Sequence, residues 1–265
     1  MAVRRTLYLY YRLITQQLKA ILEYQTDFLI LLVSAVITQL LGIVFLRVIF
    51  DRIPDINGWG FWEVAFMYAM IYVTEGIGSL LFEGTWRLGG LINRGELDML
   101  LLRPVSPILQ VLASGVGVNG IGNLVTGSII IGQALVHMDI EWKWDKICIT
   151  VIVLLSAAVV RIAINLASNC ANFWIRNAGN AFSLMVLNVG DFAKYPITIY
   201  PSFVRVLVAG VVPFAFVSFF PVAAINGANG LAWVWMLCPV VAILCAGASV
   251  AIFRIGLRTY ESAGN

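Results

Sequence analysis

Two ionisable residues stand deep inside apolar stretches of the sequence, where a charged group can do chemistry within a membrane. Glu75 belongs to the stretch 61–82 and Arg161 to the stretch 147–172. Each lies 14 positions from the expected outer end of its stretch, which is about 21 Å at roughly 1.5 Å per residue. Equal depth permits an ion pair, and pairing lowers the cost of burying either charge. We favour a structural role for this pair over a substrate contact or a proton site.

A second polar pattern consists of asparagines and glycines repeated every four residues, the spacing of one helix face. Its members are Gly115, Asn119, Asn123 and Gly127 in one apolar stretch and Asn165 and Asn169 in the next. Small residues let helices approach closely, and amides form hydrogen bonds between helices. We expect the two faces to pack helices together, with the lining of a transport pathway as the alternative.

Several kinds of chemistry are excluded by what the sequence lacks. It contains no G-x-x-x-x-G-K-[ST] loop, so the chain has no nucleotide site of that type. The single histidine, His137, cannot form a multi-histidine metal site and is expected to be a polar anchor at the edge of a span. The four cysteines form no C-x-x-C pair and are expected to be small buried hydrophobes. We expect no enzyme activity, metal, cofactor or nucleic-acid partner for this chain.

The composition indicates an all-α protein embedded in a membrane. Of the 265 residues, 61% are hydrophobic and only 12% are charged, too few charges to cover a soluble domain of this size. Several apolar runs exceed roughly 18 residues, about the length that crosses a bilayer. The pattern predicts six spans, within residues 28–254 and near 28–50, 61–82, 106–136, 147–172, 177–193 and 231–254.

Two segments compete for the fifth span. Residues 181–192 are moderately apolar, whereas residues 204–222 are strongly apolar but broken by Pro213 and Pro221. We expect a span near 177–193 followed by a re-entrant hairpin on the outer side, because protein-covered broken helices are tolerated at membrane depth. The alternative is an interfacial helix followed by a kinked span at 204–222.

The two ends of the chain are expected in the cytoplasm. Residues 1–27 form a predicted amphipathic helix that lies in the membrane interface, with Arg12 and Lys19 on its basic face. Most lysines and arginines fall in segments that become cytoplasmic when both termini are inside, as the positive-inside rule requires. Residues 255–265 would then form a short cytoplasmic tail.

A charged stretch, 93-NRGELDMLLLRPVSP-107, interrupts the apolar chain within the segment 83–105 and its flanks. Asn93 is a candidate helix cap, with Glu96 at the third helical position. Arg103 suits the negative end of such a helix, and Pro104 stops it. The stretch therefore predicts a short capped helix at the cytoplasmic mouth of the bundle.

The same helix has an apolar face made by Leu97, Leu100 and Leu101. Glu96 and Asp98 favour its positive start. An ordinary loop helix resting on lipid is the alternative to a functional docking element, and the residues alone leave both open.

The run G-E-L-D-x-L-L-L-R-P-x-S-P, from Gly95 to Pro107, resembles the ABC-2 type permeases, particularly a bacterial six-span subfamily once described as a domain of unknown function. A second match is the stretch 195–227, with spaced prolines before the last span. The N-terminal helix and the order of spans agree as well. The resemblance covers residues 1–265 as one ABC-2 type transmembrane domain.

The resemblance implies the permease subunit of a bacterial inner-membrane ABC transporter. Two permeases, identical or paralogous, would pair in the bilayer with two copies of a cytosolic ATPase that binds ATP and Mg. The charged stretch would be a coupling helix, and the proline-rich region would form outer re-entrant helices. The residues implied in ATPase contact are Arg94, Glu96, Leu97, Asp98, Leu101 and Arg103.

The resemblance also implies export, with small amphipathic or drug-like compounds or lipids as cargo. The runner-up is a self-sufficient secondary carrier or channel, which predicts transport without an ATPase. A membrane-embedded enzyme is disfavoured by the single histidine and the lack of clustered acids.

Overall fold

The computed structural model describes residues 2–22, 25–138, 140–175 and 179–261, and these residues form helices joined by short loops, with no strand among them. The helices are α1 (Ala2–Leu22), α2 (Gln25–Phe50), α3 (Phe61–Phe82), α4 (Gly84–Asn93), α5 (Leu97–Leu101), α6 (Pro107–Leu112), α7 (Asn119–His137), α8 (Trp144–Asn169), α9 (Ala181–Val189), α10 (Ser202–Val206), α11 (Phe219–Asn226) and α12 (Leu237–Thr259).

Five helices of this described part are long and apolar enough to cross a membrane. They are Leu29–Phe50, Phe61–Phe82, Asn119–His137, Trp144–Phe173 and Gly230–Thr259. The first, second, fourth and last predicted spans agree with them to within a few residues. The last helix continues to Thr259, so the predicted tail at 255–265 begins later than expected. The third and fifth spans differ from the prediction.

Side-chain contacts identify the two ends of the helix bundle. At one end, which we call the loop end because residues 51–60 form it, the His137 ring stacks on Trp62 with centroids 4.1 Å apart. At the other, which we call the α5 end, the Tyr10 hydroxyl of α1 donates to the Leu81 carbonyl of α3. The described part of α1 is thus a separate helix that contacts the α5 end of a span.

Helix α3 occupies the centre of the bundle and is the most buried of the five candidate spans. It packs closely on α7, where a Cβ atom added at Gly76 would lie 2.8 Å from the Gly120 carbonyl oxygen. A Cβ atom added at Gly120 would lie equally close to the Gly76 carbonyl oxygen. The two glycines therefore set the distance between the helices, as small residues do in membranes.

The third predicted span, 106–136, is not one continuous helix. It begins at Pro107 as predicted, although Ser106 makes no side-chain capping bond. The helix α6 ends at Leu112, and residues 113–118 are non-helical before α7 starts at Asn119. In this break the Gly117 amide donates to the Ser79 carbonyl of α3 over 2.8 Å. A Cβ atom at Gly117 would lie 2.1 Å from the Ser79 hydroxyl oxygen, so the close approach requires glycine.

The segment predicted as the fifth span is short and irregular. Helix α9 continues as a 3₁₀ turn over Gly190–Lys194, and residues 177 and 178 lie outside the described part. Asn180 lines a cavity with Arg94 at the α5 end. At the loop end the Thr198 carbonyl accepts a hydrogen bond of 3.3 Å from the Asn57 amide. Residues 181–198 thus connect the two ends, but without one helix of spanning length.

Residues 202–226 form a hairpin that enters and leaves at the loop end. Its tip reaches the bundle interior, where Phe214 is fully buried and its ring centroid lies 5.5 Å from the Arg161 guanidinium carbon. On the way back, Asn226 donates to the Glu63 carboxylate over 2.7 Å. Lys146 donates to the Ile225 carbonyl over 2.8 Å. The hairpin is therefore held by polar contacts at the loop end and by an aromatic contact at its tip.

Candidate functional site

The connection between α4 and α5 departs from the predicted capped helix. Asn93 is the last residue of α4, and the Arg94 amide donates to the Gly90 carbonyl over 3.0 Å. Gly95 follows with a φ of 69°, the left-handed conformation that commonly ends helices. The predicted helix start at Asn93 is therefore wrong. Burial of apolar residues on α4 extends that helix to Asn93, and Gly95 terminates it.

Glu96 stands just before α5 and makes no capping bond with the backbone. Its carboxylate instead accepts a hydrogen bond of 2.6 Å from Arg94 Nε. The Arg94 guanidinium holds the pKa of Glu96 below its ordinary value. The two side chains are 61% and 42% exposed, so this ion pair is presented to solvent at the α5 end.

Helix α5 has a buried side and an exposed side. Leu97 is fully buried and belongs to a core with Leu88 and Val111, against which Leu100 also packs. Met99 and Leu102 are exposed, and Leu102 is 86% exposed. Leu101 is exposed as well, so the apolar face predicted from Leu97, Leu100 and Leu101 is only partly buried. Because α5 has only five residues, its end does not reach the core.

Gln110 on α6 fastens the chain that follows α5. Its Nε2 atom donates to the carbonyls of Leu100 and Val105, both over 2.9 Å. Gln110 is buried. It gives the Val105 carbonyl a donor and gives the Leu100 carbonyl a second donor beside the Arg103 amide. Sequence reasoning missed this residue, although a single amide in the apolar sequence PILQVL was a signal for it.

The two remaining charged residues of the predicted docking set lie on the same segment. Asp98 lies beside Tyr260, just beyond the last span, and burial together with a hydrogen bond to Asp98 raises the pKa of Tyr260 to about 12. Arg103 is exposed after the end of α5. The segment 94–106, which we call the α5 segment, therefore combines exposed charges, exposed apolar side chains and a buried anchor.

The structure brings the two deep ionisable residues together. Arg161 Nη2 of α8 donates to Glu75 Oε2 of α3, and the side chains are 11% and 22% exposed. The Phe214 ring at the hairpin tip covers the guanidinium. The predicted ion pair is present, whereas the contribution of Phe214 was not visible in the sequence.

The asparagines of α7 bind neighbouring helices. Asn123 accepts a hydrogen bond of 2.8 Å from Gln39 of α2. The Asn119 Oδ1 atom lies 3.1 Å from the Ser79 hydroxyl oxygen of α3. Gly115 lies in the non-helical break, so it does not extend this face as expected. Gly127 packs against α3, where an added Cβ atom would lie 2.7 Å from Val73.

The asparagines of α8 face a different neighbour. Asn165 donates to the Thr85 hydroxyl of α4 over 2.9 Å. Asn169 donates to the Asn165 side-chain oxygen over 3.2 Å. The asparagines of α7 and α8 therefore do not meet in one polar lining within the described residues, and their contacts favour the helix-packing interpretation.

Comparison with known proteins identified a matching family. A family model described as ABC-2 family transporter protein matches residues 35–264, which includes every candidate residue considered above. Searches of curated proteins and of solved structures returned no match.

Proposed function

The chain belongs to the ABC-2 transporter family, and from this premise we propose that it is the permease subunit of an ABC exporter driven by a separate ATPase subunit. The observation that carries the proposal is the α5 segment. Its exposed Met99, Leu102 and Arg94–Glu96 pair form a surface that a second protein can bind, while Leu97 and Gln110 tie it to the membrane helices.

The anchors give this segment a route to the spans. Leu97 packs against Leu88 of α4, and α4 follows directly on α3. Gln110 belongs to α6, which precedes the break before α7. A displacement of α5 would therefore move α3 and α7 through packed side chains and hydrogen bonds. This is a physical basis for coupling ATPase closure to a rearrangement of the membrane helices.

We also propose that the α5 end faces the cytoplasm of a bacterial cell. Tyr10 of α1 and Tyr260 after the last span both lie at that end, which supports termini on one side of the membrane. An even number of crossings requires residues 181–198 to cross as an irregular fifth span. A complete transporter would then contain two permeases, identical or paralogous, and two ATPase subunits that bind ATP and Mg.

The cargo is proposed to be amphipathic, drug-like or lipid-like. An apolar cavity of about 300 Å³ lies between α8, α9 and α12 beneath the hairpin tip. The three helices and the hairpin all line it, with residues that include Ala163, Phe182, Val212 and Ile252. A cavity of this lining suits the apolar part of such a molecule.

The test is purification from native membranes in mild detergent, with ATP hydrolysis measured on the purified complex. We expect a stoichiometric ATPase subunit with the unaltered chain and its loss with the charge reversal Glu96→Lys. Glu141→Lys is the matched control, because Glu141 pairs with Lys143 over 3.1 Å at the same two-residue spacing at the loop end. Equal ATPase recovery with both variants would show that the α5 segment is not the docking surface.

The Glu75–Arg161 pair is the observation that favours the alternative, a self-sufficient secondary carrier. That function predicts transport by the purified chain in vesicles without any ATPase or ATP. Transport under those conditions would replace the ABC exporter proposal.

A further inference from the structure

A polar cavity of about 540 Å³ opens at the α5 end of the bundle, between α4 and the residues that precede α9. The α4 side contributes Trp86, Arg87, Gly90 and Asn93, followed by Arg94. Asn180 lies on the opposite side. Unlike the apolar cavity beneath the hairpin tip, this one is lined mainly by groups that donate hydrogen bonds.

Two arginines lie on the same side of this cavity. Arg87 and Arg94 are seven residues apart, which is about two helical turns and places them on one face. Gly90 lies between them, and the Arg94 Nη2 atom is 3.2 Å from the position of a Cβ atom added at Gly90. The Arg94 side chain therefore folds back over Gly90 towards Arg87, and the two guanidinium groups share one cavity.

Both guanidinium groups keep donors that their present partners do not use. Arg94 contacts Glu96 through Nε and Nη2, and Arg87 contacts the Ser114 carbonyl through Nη1. A guanidinium has five N–H donors. Each arginine therefore has further N–H groups that can donate hydrogen bonds to a ligand in the cavity.

The one acidic residue in the lining is partly turned away. Glu83 Oε2 lies 2.7 Å from the Ser79 hydroxyl oxygen. The same oxygen is 2.7 Å from the position of a Cβ atom added at Gly117. One oxygen of the carboxylate thus faces the break between α6 and α7, and the two arginines are the charged hydrogen-bond donors of the lining.

We propose that this cavity binds a phosphate-type oxyanion, supplied either by the headgroup of an anionic phospholipid or by free phosphate. Guanidinium groups match the oxygens of a phosphate and form paired hydrogen bonds with them. Basic pockets between membrane helices near the interface accept anionic headgroups. Trp86 is of the residue type that occupies the headgroup level. The cavity shares Arg94 with the proposed ATPase-docking surface, and binding to the purified chain alone measures the cavity separately from docking.

The experiment is native mass spectrometry of the full chain in detergent, after removal of lipid. The probes are phosphatidylglycerol, phosphatidylcholine with the same acyl chains, and inorganic phosphate. We expect phosphatidylglycerol to bind more tightly than phosphatidylcholine, and Arg87→Gln combined with Arg94→Gln to weaken its binding at least tenfold. Arg258→Gln is the control, because it removes one exposed positive charge at the same end, outside the cavity.

A second variant guards against misfolding of the arginine variant, whose Arg87 also holds the Ser114 carbonyl. Gly90→Leu fills the cavity and keeps both charges, so we expect it to lose phosphatidylglycerol binding as well. Competition by millimolar phosphate with bound lipid indicates a headgroup site, and binding of phosphate without lipid indicates a free anion. If the double arginine variant or Gly90→Leu binds phosphatidylglycerol and inorganic phosphate as tightly as the unaltered chain, the proposal is overturned.

Discussion

Two arginine–glutamate pairs with the same chemistry lie in opposite surroundings. Arg94 and Glu96 are two residues apart and exposed at the α5 end. Arg161 and Glu75 are 86 residues apart and lie inside the bundle, where they join α8 to α3 beneath Phe214. An exposed pair adds little to stability because water screens it. A buried pair is costly to break because the remaining charge loses its partner.

The comparison separates two tasks that charge performs in this protein. The inner pair joins helices that are distant in sequence, so its loss lowers the stability of the fold. The outer pair is local and leaves its charges accessible, so we expect its loss to affect the proposed ATPase docking rather than the fold. The predictions below test this division, in order of decreasing effect on stability.

Replacement of one partner of the inner pair should have the largest effect. We expect Glu75→Gln to lower the free energy of unfolding by about 3–5 kcal/mol, the range for breaking a buried ion pair. Unfolding in mixed detergent micelles measures it. The double variant Glu75→Gln with Arg161→Gln should lose less than the sum of the two single variants, and strict additivity would contradict the pairing.

Truncation of the hairpin tip should come next. Phe214→Ala leaves a cavity beside Arg161 and should cost about 3 kcal/mol, at the lower end for a buried phenylalanine. Phe203→Ala is the matched control, because Phe203 belongs to the same hairpin and is 77% exposed. Thermal unfolding measures the stability of both variants. If the two variants lose similar stability, the hairpin tip does not stabilise the inner pair.

Removal of the amide that anchors the α5 segment should have an intermediate effect. Gln110→Leu removes the side-chain donor from the carbonyls of Leu100 and Val105, of which Leu100 keeps the Arg103 amide, and should cost about 1–3 kcal/mol. It should also weaken ATP-driven transport, since α5 is no longer tied to α6. Gln133→Leu, an exposed change on α7, is the control. An unfolding curve that Gln110→Leu leaves unchanged argues against the anchor.

Charge reversal in the outer pair should have the smallest effect on stability. We expect Glu96→Lys to unfold at the same temperature as the unaltered chain, while ATPase binding is lost. Because the pKa of Glu96 is lowered, what the pair contributes is present above the ordinary pKa of glutamate and is lost only as pH falls through the lowered value. The melting temperatures of the variant and the unaltered chain should therefore compare in the same way at pH 7 and at pH 5.

Much of the fold followed from the sequence because membrane spans are a local property. Twenty or so apolar residues cross a bilayer whatever their neighbours are, and this criterion located the spans at 28–50, 61–82, 147–172 and 231–254. The inner ion pair was predictable for a related reason, since equal depth in two spans is counted along each helix. These predictions required no knowledge of how the helices pack.

The predictions that were wrong depended on which group forms a hydrogen bond with a given backbone N–H or C=O. Asn93 has the residue type of a helix cap, but it is the last residue of α4, a helix with buried leucines, and Gly95 follows in a left-handed conformation. The third span reads as continuous, but the Gly117 amide finds its acceptor on α3 rather than in its own helix. A single sequence shows the donors and acceptors, and it does not show which distant group satisfies them.

The sequence by itself determined that this protein is an all-helical membrane protein of the ABC-2 type, because length, composition and a contiguous motif carry that information. It also determined which residues of the α5 segment are charged. Only the tertiary structure decided that Phe214 covers Arg161, that Gln110 anchors α5 and that Arg87 and Arg94 share one cavity. Those arrangements depend on contacts between elements far apart in the chain, and the free energy of such contacts is set by packing rather than by local residue preference.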